Sequence, residues 1–153
     1  MKKIVCYIAI LALTCALPVE RADVGKLRPI QTVSVSRKGD LVTLRTDTGD
    51  MGTGSTAIQA LANLKATTPG IVYLDTAQFL LIAHDAKDYA EELRDVLHDN
   101  VKLCIADETI DPKAVTQYLA VHDSLPKMKE WQSGIELPVL KQLGERLYLE
   151  STE

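Results

Sequence analysis

The chain has 153 residues, enough for one domain with a real core and no more. Hydrophobic residues make up 46% and charged residues 25%, as in an ordinary globular protein, while only 5% aromatics leaves the core to Leu, Ile, Val and Ala. The formal net charge of -4 becomes -6 once Lys2 and Lys3 of the N-terminal segment are set aside, which argues against nucleic acid as a partner because phosphate binding needs a basic surface.

Met1-Lys-Lys3 followed by an apolar run to Leu17 is a charged n-region with an apolar h-region. The run falls short of the roughly 20 apolar residues of a membrane span, and Pro18 breaks any helix. A secretory signal peptide over residues 1–16 is the reading, with Thr14 and Ala16 as the small residues of a cleavage site. It implies an exported chain, extracellular or on the outer face of the cytoplasmic membrane. Two alternatives stay open: an uncleaved anchor, and lipid attachment at Cys15, although Thr14 stands where a lipobox has Gly or Ala. Cys6 and Cys15 fall in the signal, so Cys104 alone remains, without an internal disulfide partner. Between Leu103 and Ile105, it reads as a buried, inert thiol.

Residues 17–29 form a lead-in, and residues 30–153 a single α/β domain with a C-terminal helical extension. Ile30–Ser36 alternates strictly and predicts a strand. Arg37-Lys-Gly-Asp40 predicts a hairpin connection, with Gly39 free to take positive φ, and Leu41–Thr46 its antiparallel partner. Gly49-Asp-Met-Gly-Thr-Gly-Ser-Thr56 reads as a glycine-rich turn opening a helix capped by Ser55 or Thr56. That helix carries Ile58, Leu61, Ala62, Leu64 and Lys65 at helical spacing and stops before Pro69-Gly70. Ile71–Leu74 and Phe79–Ala83 predict two strands or one interrupted strand. A second helix is expected from Lys87 to His98, and Val101–Ala106 reads as a central strand. Asp111-Pro112 is a strong helix start, with Val115, Tyr118, Leu119 and His122 on one face. Leu125, Met128, Trp131 and Gln132 suggest a short helix ending near Gly134, and Trp131 is expected on the surface. A last helix is expected from Pro138 to Leu143, with Arg146–Glu150 either continuing it or forming a terminal strand. The fold class is α/β of α+β character: a small mixed sheet with an N-terminal antiparallel hairpin, packed helices and a helical C-terminal part.

Three features invite chemistry. Gly49, Gly52, Gly54, Ser55 and Thr56 have the length of a phosphate-binding loop, but Ser55 stands where the lysine belongs. Nucleotide hydrolysis is not expected, though the free N–H groups of a helix start can hold an anion. The competing reading is a turn that needs glycine for its backbone angles. His84, His98 and His122 each precede an aspartate, but sequence neighbours seldom face each other, and the pairs fall at element ends where polar residues collect. Asp107, Glu108 and Asp111 crowd carboxylates after the central strand, where metal-assisted chemistry is conceivable, but capping of the next helix accounts for Asp111. No catalytic, cofactor or metal residue is assigned.

Asp23-Val-Gly-Lys-Leu27 with the strand pair, Gly54-Ser-Thr56 opening a helix with Gln59-Ala-Leu61 and Leu64-Lys65, Phe79–Ile82, and Val101–Ala106 together resemble the N-terminal domain of the spore germination receptor C subunit, the Ger(x)C family of exported lipoproteins. The likeness spans about residues 23 to 123 and consists of the order of elements with a few residues. The imperfect lipobox and the absence of that family's further domains are departures. The resemblance implies assembly with membrane partners and no catalytic residues. The expected function is therefore a non-enzymatic interaction module of a membrane-associated or envelope assembly, linked to spore germination. The rival is a small exported hydrolase or ligand-binding protein using the Gly49–Thr56 turn with His84 or Asp107.

Overall fold

The computed structural model describes residues 24–122, 124–131 and 135–150. The signal segment 1–16, with Cys15, lies outside the described residues, as do most of the lead-in, Asp123, Gln132 and Gly134. The described residues form a mixed α/β structure with three α-helices, a seven-stranded mixed sheet and a two-stranded parallel ribbon.

The ribbon joins β1 (Leu27–Pro29) to β5 (Ile71–Tyr73). The main sheet runs in the order β4-β3-β2-β6-β7-β8-β9. Its middle, β2 (Thr32–Lys38), β6 (Phe79–Ile82), β7 (Lys102–Ala106) and β8 (Val139–Leu143), is parallel. Antiparallel strands flank it: β3 (Leu41–Thr46) and β4 (Met51–Gly54) on one side, and β9 (Arg146–Glu150) on the other. Three helices connect these strands: α1 (Ala57–Thr67), α2 (Lys87–Leu93) and α3 (Pro112–Ala120).

The expected hairpin is there. Gly39 takes φ +62° at the first position of the two-residue loop, and Val35 lies opposite Leu44. The pleat sends Val33, Val35, Val42 and Leu44 to one face, where α1 and α2 cover them together with Leu80, Ile82, Leu103 and Ile105. The opposite face carries Phe79, Leu81, Cys104 and Ala106 under α3. β6 and β7 are thus covered on both sides, as their near-continuous apolar runs require. Asp111 caps α3 through Lys113 N at 3.1 Å, with Pro112 at its first position.

The glycine-rich stretch is not one turn: only Gly49, at φ +85°, bends the chain, and Met51–Gly54 pairs with β3 as an edge strand. Gly52 and Gly54 are glycine because α1 lies on them: a Cβ at Gly52 would come within 2.2 Å of the Ala60 carbonyl oxygen, and one at Gly54 within 2.5 Å of Ala60 N. The same close approach selects Ala57, Ala60, Leu61 and Leu64 as the buried face of α1 and leaves Ile58 exposed. The helix expected to reach His98 stops at Leu93, and the chain continues in turns that bury Leu97.

Pro138–Leu143 is not a helix. Leu140 enters one core and Val139 packs on the other, which a strand between two covered faces allows and a one-faced helix does not. Gly144, at φ +61°, turns the chain back into β9 instead of ending a helix. Trp131, expected on the surface, is 7% exposed and follows a single 3₁₀ turn, Met128–Glu130. No helix among the described residues is long and apolar enough to cross a membrane.

Candidate functional site

Parallel strands end together, and side chains just beyond their carboxyl ends gather at one rim of the sheet. Here β6 delivers Ala83, His84 and Asp85 to that rim, and β7 delivers Asp107 and Glu108. β8 starts late: Val139 lies opposite Ile105 and Leu140 opposite Ala106, so Lys141 to Leu143 project past the end of β7. The projecting hairpin walls a crevice of about 290 Å³ whose polar lining is His84, Asp107, Thr109, Lys141, Gln142 and Tyr148. A second hollow of about 220 Å³ shares His84 and Asp107 and adds Arg37, Lys38, Asp85 and Glu108.

The fold thus brings together two residues of the rival reading, His84 and Asp107, but it gives the carboxylate a local task. Asp107 Oδ1 accepts hydrogen bonds from Thr109 N and Thr109 Oγ1, each at 3.1 Å, and so shapes the loop leading to α3. Lys141 pairs with Glu150 across the β8–β9 hairpin, and that hydrogen bond and charge raise the Lys141 pKa. His84 is exposed. A base needs a partner that orients it and a nucleophile within reach; His84 shares the hollow with Asp107, Thr109 and Tyr148, and the Asp107 carboxylate is engaged by Thr109.

The other two histidines lie elsewhere. His98 is exposed in the turn before β7. His122 closes the end of α3, with Nδ1 2.8 Å from the Tyr118 carbonyl oxygen and its ring tilted against the Tyr118 ring. Cys104 is fully buried in β7, and burial pushes its thiol up to about 12, leaving no thiolate for chemistry near neutral pH. Among the described residues no three His, Cys, Asp or Glu side chains are grouped to hold a metal ion.

At the start of α1, the proposed anion turn is already occupied by the protein's own groups. Thr56 Oγ1 accepts from Gln59 N at 3.1 Å, and Gln59 Oε1 accepts from Ser55 N and Ser55 Oγ. The Ala57 N–H donates to Glu92 Oε2 at 2.9 Å. A carboxylate from α2 therefore sits where an anion would bind, satisfying an orphan donor and the helix dipole together. Glu92 escaped the reading of the sequence because 35 residues separate it from Ala57 and no local pattern marks it. Gly49 and Asp50 serve the turn itself: Asp50 accepts from Arg28 at 3.1 Å and from Thr48 Oγ1 at 2.7 Å. No family model matches the chain, and no curated protein or solved structure matches it either.

Proposed function

We propose that this chain is an exported, non-enzymatic interaction module of a membrane-associated or envelope assembly, in the manner of the spore germination proteins that its element order resembles. The observation that carries this reading is the β1–β5 ribbon. Ile71 and Tyr73 alternate on β5 with the half-buried Val72 and are 46% and 38% exposed. They sit on the strand paired with Leu27–Pro29, next to the point where residues 1–23 join the described chain. A retained N-terminal anchor, or a lipid on Cys15, would hold this apolar edge toward the membrane and its protein partners, with the His84 rim at the other end of the parallel strands away from them; a chain released by signal cleavage would carry the same edge to its envelope partners. Apolar side chains presented beside an attachment point suit capture of a protein partner, and the acidic balance does not suit nucleic acid.

Two measurements test it. N-terminal sequencing from the secreted and membrane fractions should find Met1 removed, or retained only in membranes as an anchor, with added mass at Cys15 marking a lipoprotein; an intact Met1 in the cytosol sinks the reading. Ile71→Asp and Tyr73→Asp should release the chain from its envelope complex while His84→Ala and Asp107→Ala leave it bound. The reverse pattern would favour the rival ligand-binding or hydrolytic protein.

A further inference from the structure

β9 ends the seven-stranded sheet, and nothing among the described residues pairs with its outer edge. Such an edge is a template for another strand unless charge, a bulge or a cover blocks it. Its sequence, Arg146-Leu-Tyr-Leu-Glu150, reads the same from both ends in chemical type except that the terminal charges are opposite. Leu147 and Leu149 lie half-buried against the core under α3, while Arg146, Tyr148 and Glu150 are exposed on the other face.

The backbone fixes which groups point outward. Gly144-Glu145 is a two-residue loop with glycine first at φ +61°, and in such a hairpin the flanking pair, Leu143 and Arg146, is hydrogen-bonded. Antiparallel alternation then turns Tyr148 and Glu150 toward Lys141 and Val139 on β8, and the N–H and C=O groups of Leu147 and Leu149 toward the free edge.

We propose that β9 is a self-association edge, through which two copies of the chain pair antiparallel about a two-fold axis at Tyr148. In that register Leu147 meets Leu149 of the second copy as a hydrogen-bonded pair, so the outward-facing backbone groups satisfy one another on both sides of the axis. Tyr148 meets its own copy. Arg146 meets Glu150 of the second copy, twice, as non-hydrogen-bonded pairs whose side chains approach most closely. Lys141 already flanks Glu150 from within the chain, so each carboxylate would lie between two cations. The leucines of the two copies continue each other's apolar face, and the two sheets join edge to edge. A parallel arrangement would set Arg146 against Arg146 and Glu150 against Glu150, so the charges select the antiparallel one. The contact is isologous and closes as a dimer. This inference stands apart from the envelope reading, which concerns the ribbon end.

Sedimentation velocity of the purified chain, at concentrations up to about 1 mM, tests it. A dimer should appear with concentration and weaken as salt is added. Arg146→Glu places carboxylates opposite each other on both sides of the axis, and Glu150→Arg places guanidinium groups opposite each other. Each variant alone should associate at least tenfold more weakly, with an unchanged circular dichroism spectrum. An equal mixture of the two variants should dimerise again, because the introduced glutamate then meets the introduced arginine and the native pair also survives. A wild-type chain that stays monomeric, single variants that dimerise like wild type, or a mixture that stays monomeric would each overturn the proposal.

Discussion

Gly52→Ala should unfold this protein more readily than any other single methyl addition to the glycine-rich stretch. The added Cβ would lie 2.2 Å from the Ala60 carbonyl oxygen and 2.5 Å from both Leu64 N and Leu64 Cβ. Ordinary contact begins at 3.4 Å, and the obstructing atoms are mostly helix backbone that no rotamer change can move. α1 must therefore retreat from β4 by about 1 Å, a gap that already forfeits a quarter to a half of each dispersion contact it opens. Ala57, Ala60, Leu61 and Leu64 all pack across that surface. Overpacking of this kind costs roughly 1–3 kcal/mol, and the rigidity of the obstruction puts the expected loss at about 3 kcal/mol. With a urea slope of about 2 kcal/mol/M, the unfolding midpoint should fall by about 1.5 M, followed by circular dichroism. Gly49→Ala is the comparison: space is open around Gly49, and only its positive φ opposes a side chain, at a cost of about 1–2 kcal/mol. A Gly52→Ala loss below about 0.5 kcal/mol, the range of neutral surface changes, would refute the claim that α1 presses on β4.

Glu92→Ala should cost about 1 kcal/mol by removing the carboxylate that meets the Ala57 N–H, and an unchanged urea midpoint would deny it that role. Trp131→Ala should cost about 3–5 kcal/mol because the ring is buried in the core under α1 and α2; a near-neutral effect in the same assay would return Trp131 to the surface. Cys104 keeps its proton in the folded state up to about pH 12, whereas the unfolded thiol loses it above about pH 9. The stability this neutral thiol contributes is complete below pH 9 and lost as the pH rises toward 12, so wild type should lose more stability over that window than Cys104→Ala. Rapid labelling of Cys104 in the folded protein near pH 8 would contradict its burial.

Local signals were legible. Strict alternation with Gly39 between the runs marked β2 and β3, Asp111-Pro112 marked α3, and an apolar run at nearly every position marked β7 as central. Each depends on neighbours in the chain. β4 was hidden because its two inward positions are Gly52 and Gly54, and a strand whose buried face has no side chains reads as a loop. Of the terminal hairpin, β9 was one of two readings left open for Arg146–Glu150, while β8 was hidden because Val139, Leu140 and Leu143 fit a helical face as well as a strand, and because Gly144 suits a helix end as well as a tight turn. The rim joining His84 to Asp107 depends on which strands lie side by side, and the cap from Glu92 depends on α2 meeting α1. Neither follows from spacing.

Site-specific photo-crosslinking in intact cells tests the interaction reading most directly. A photoreactive residue is placed at Tyr73 on the ribbon and, separately, at His84 on the rim. A discrete adduct with an envelope protein is expected from Tyr73, lost in the Ile71→Asp background, and none from His84. Adducts from His84 with Tyr73 silent, or a chain confined to the cytosol with no adduct at either position, would contradict it.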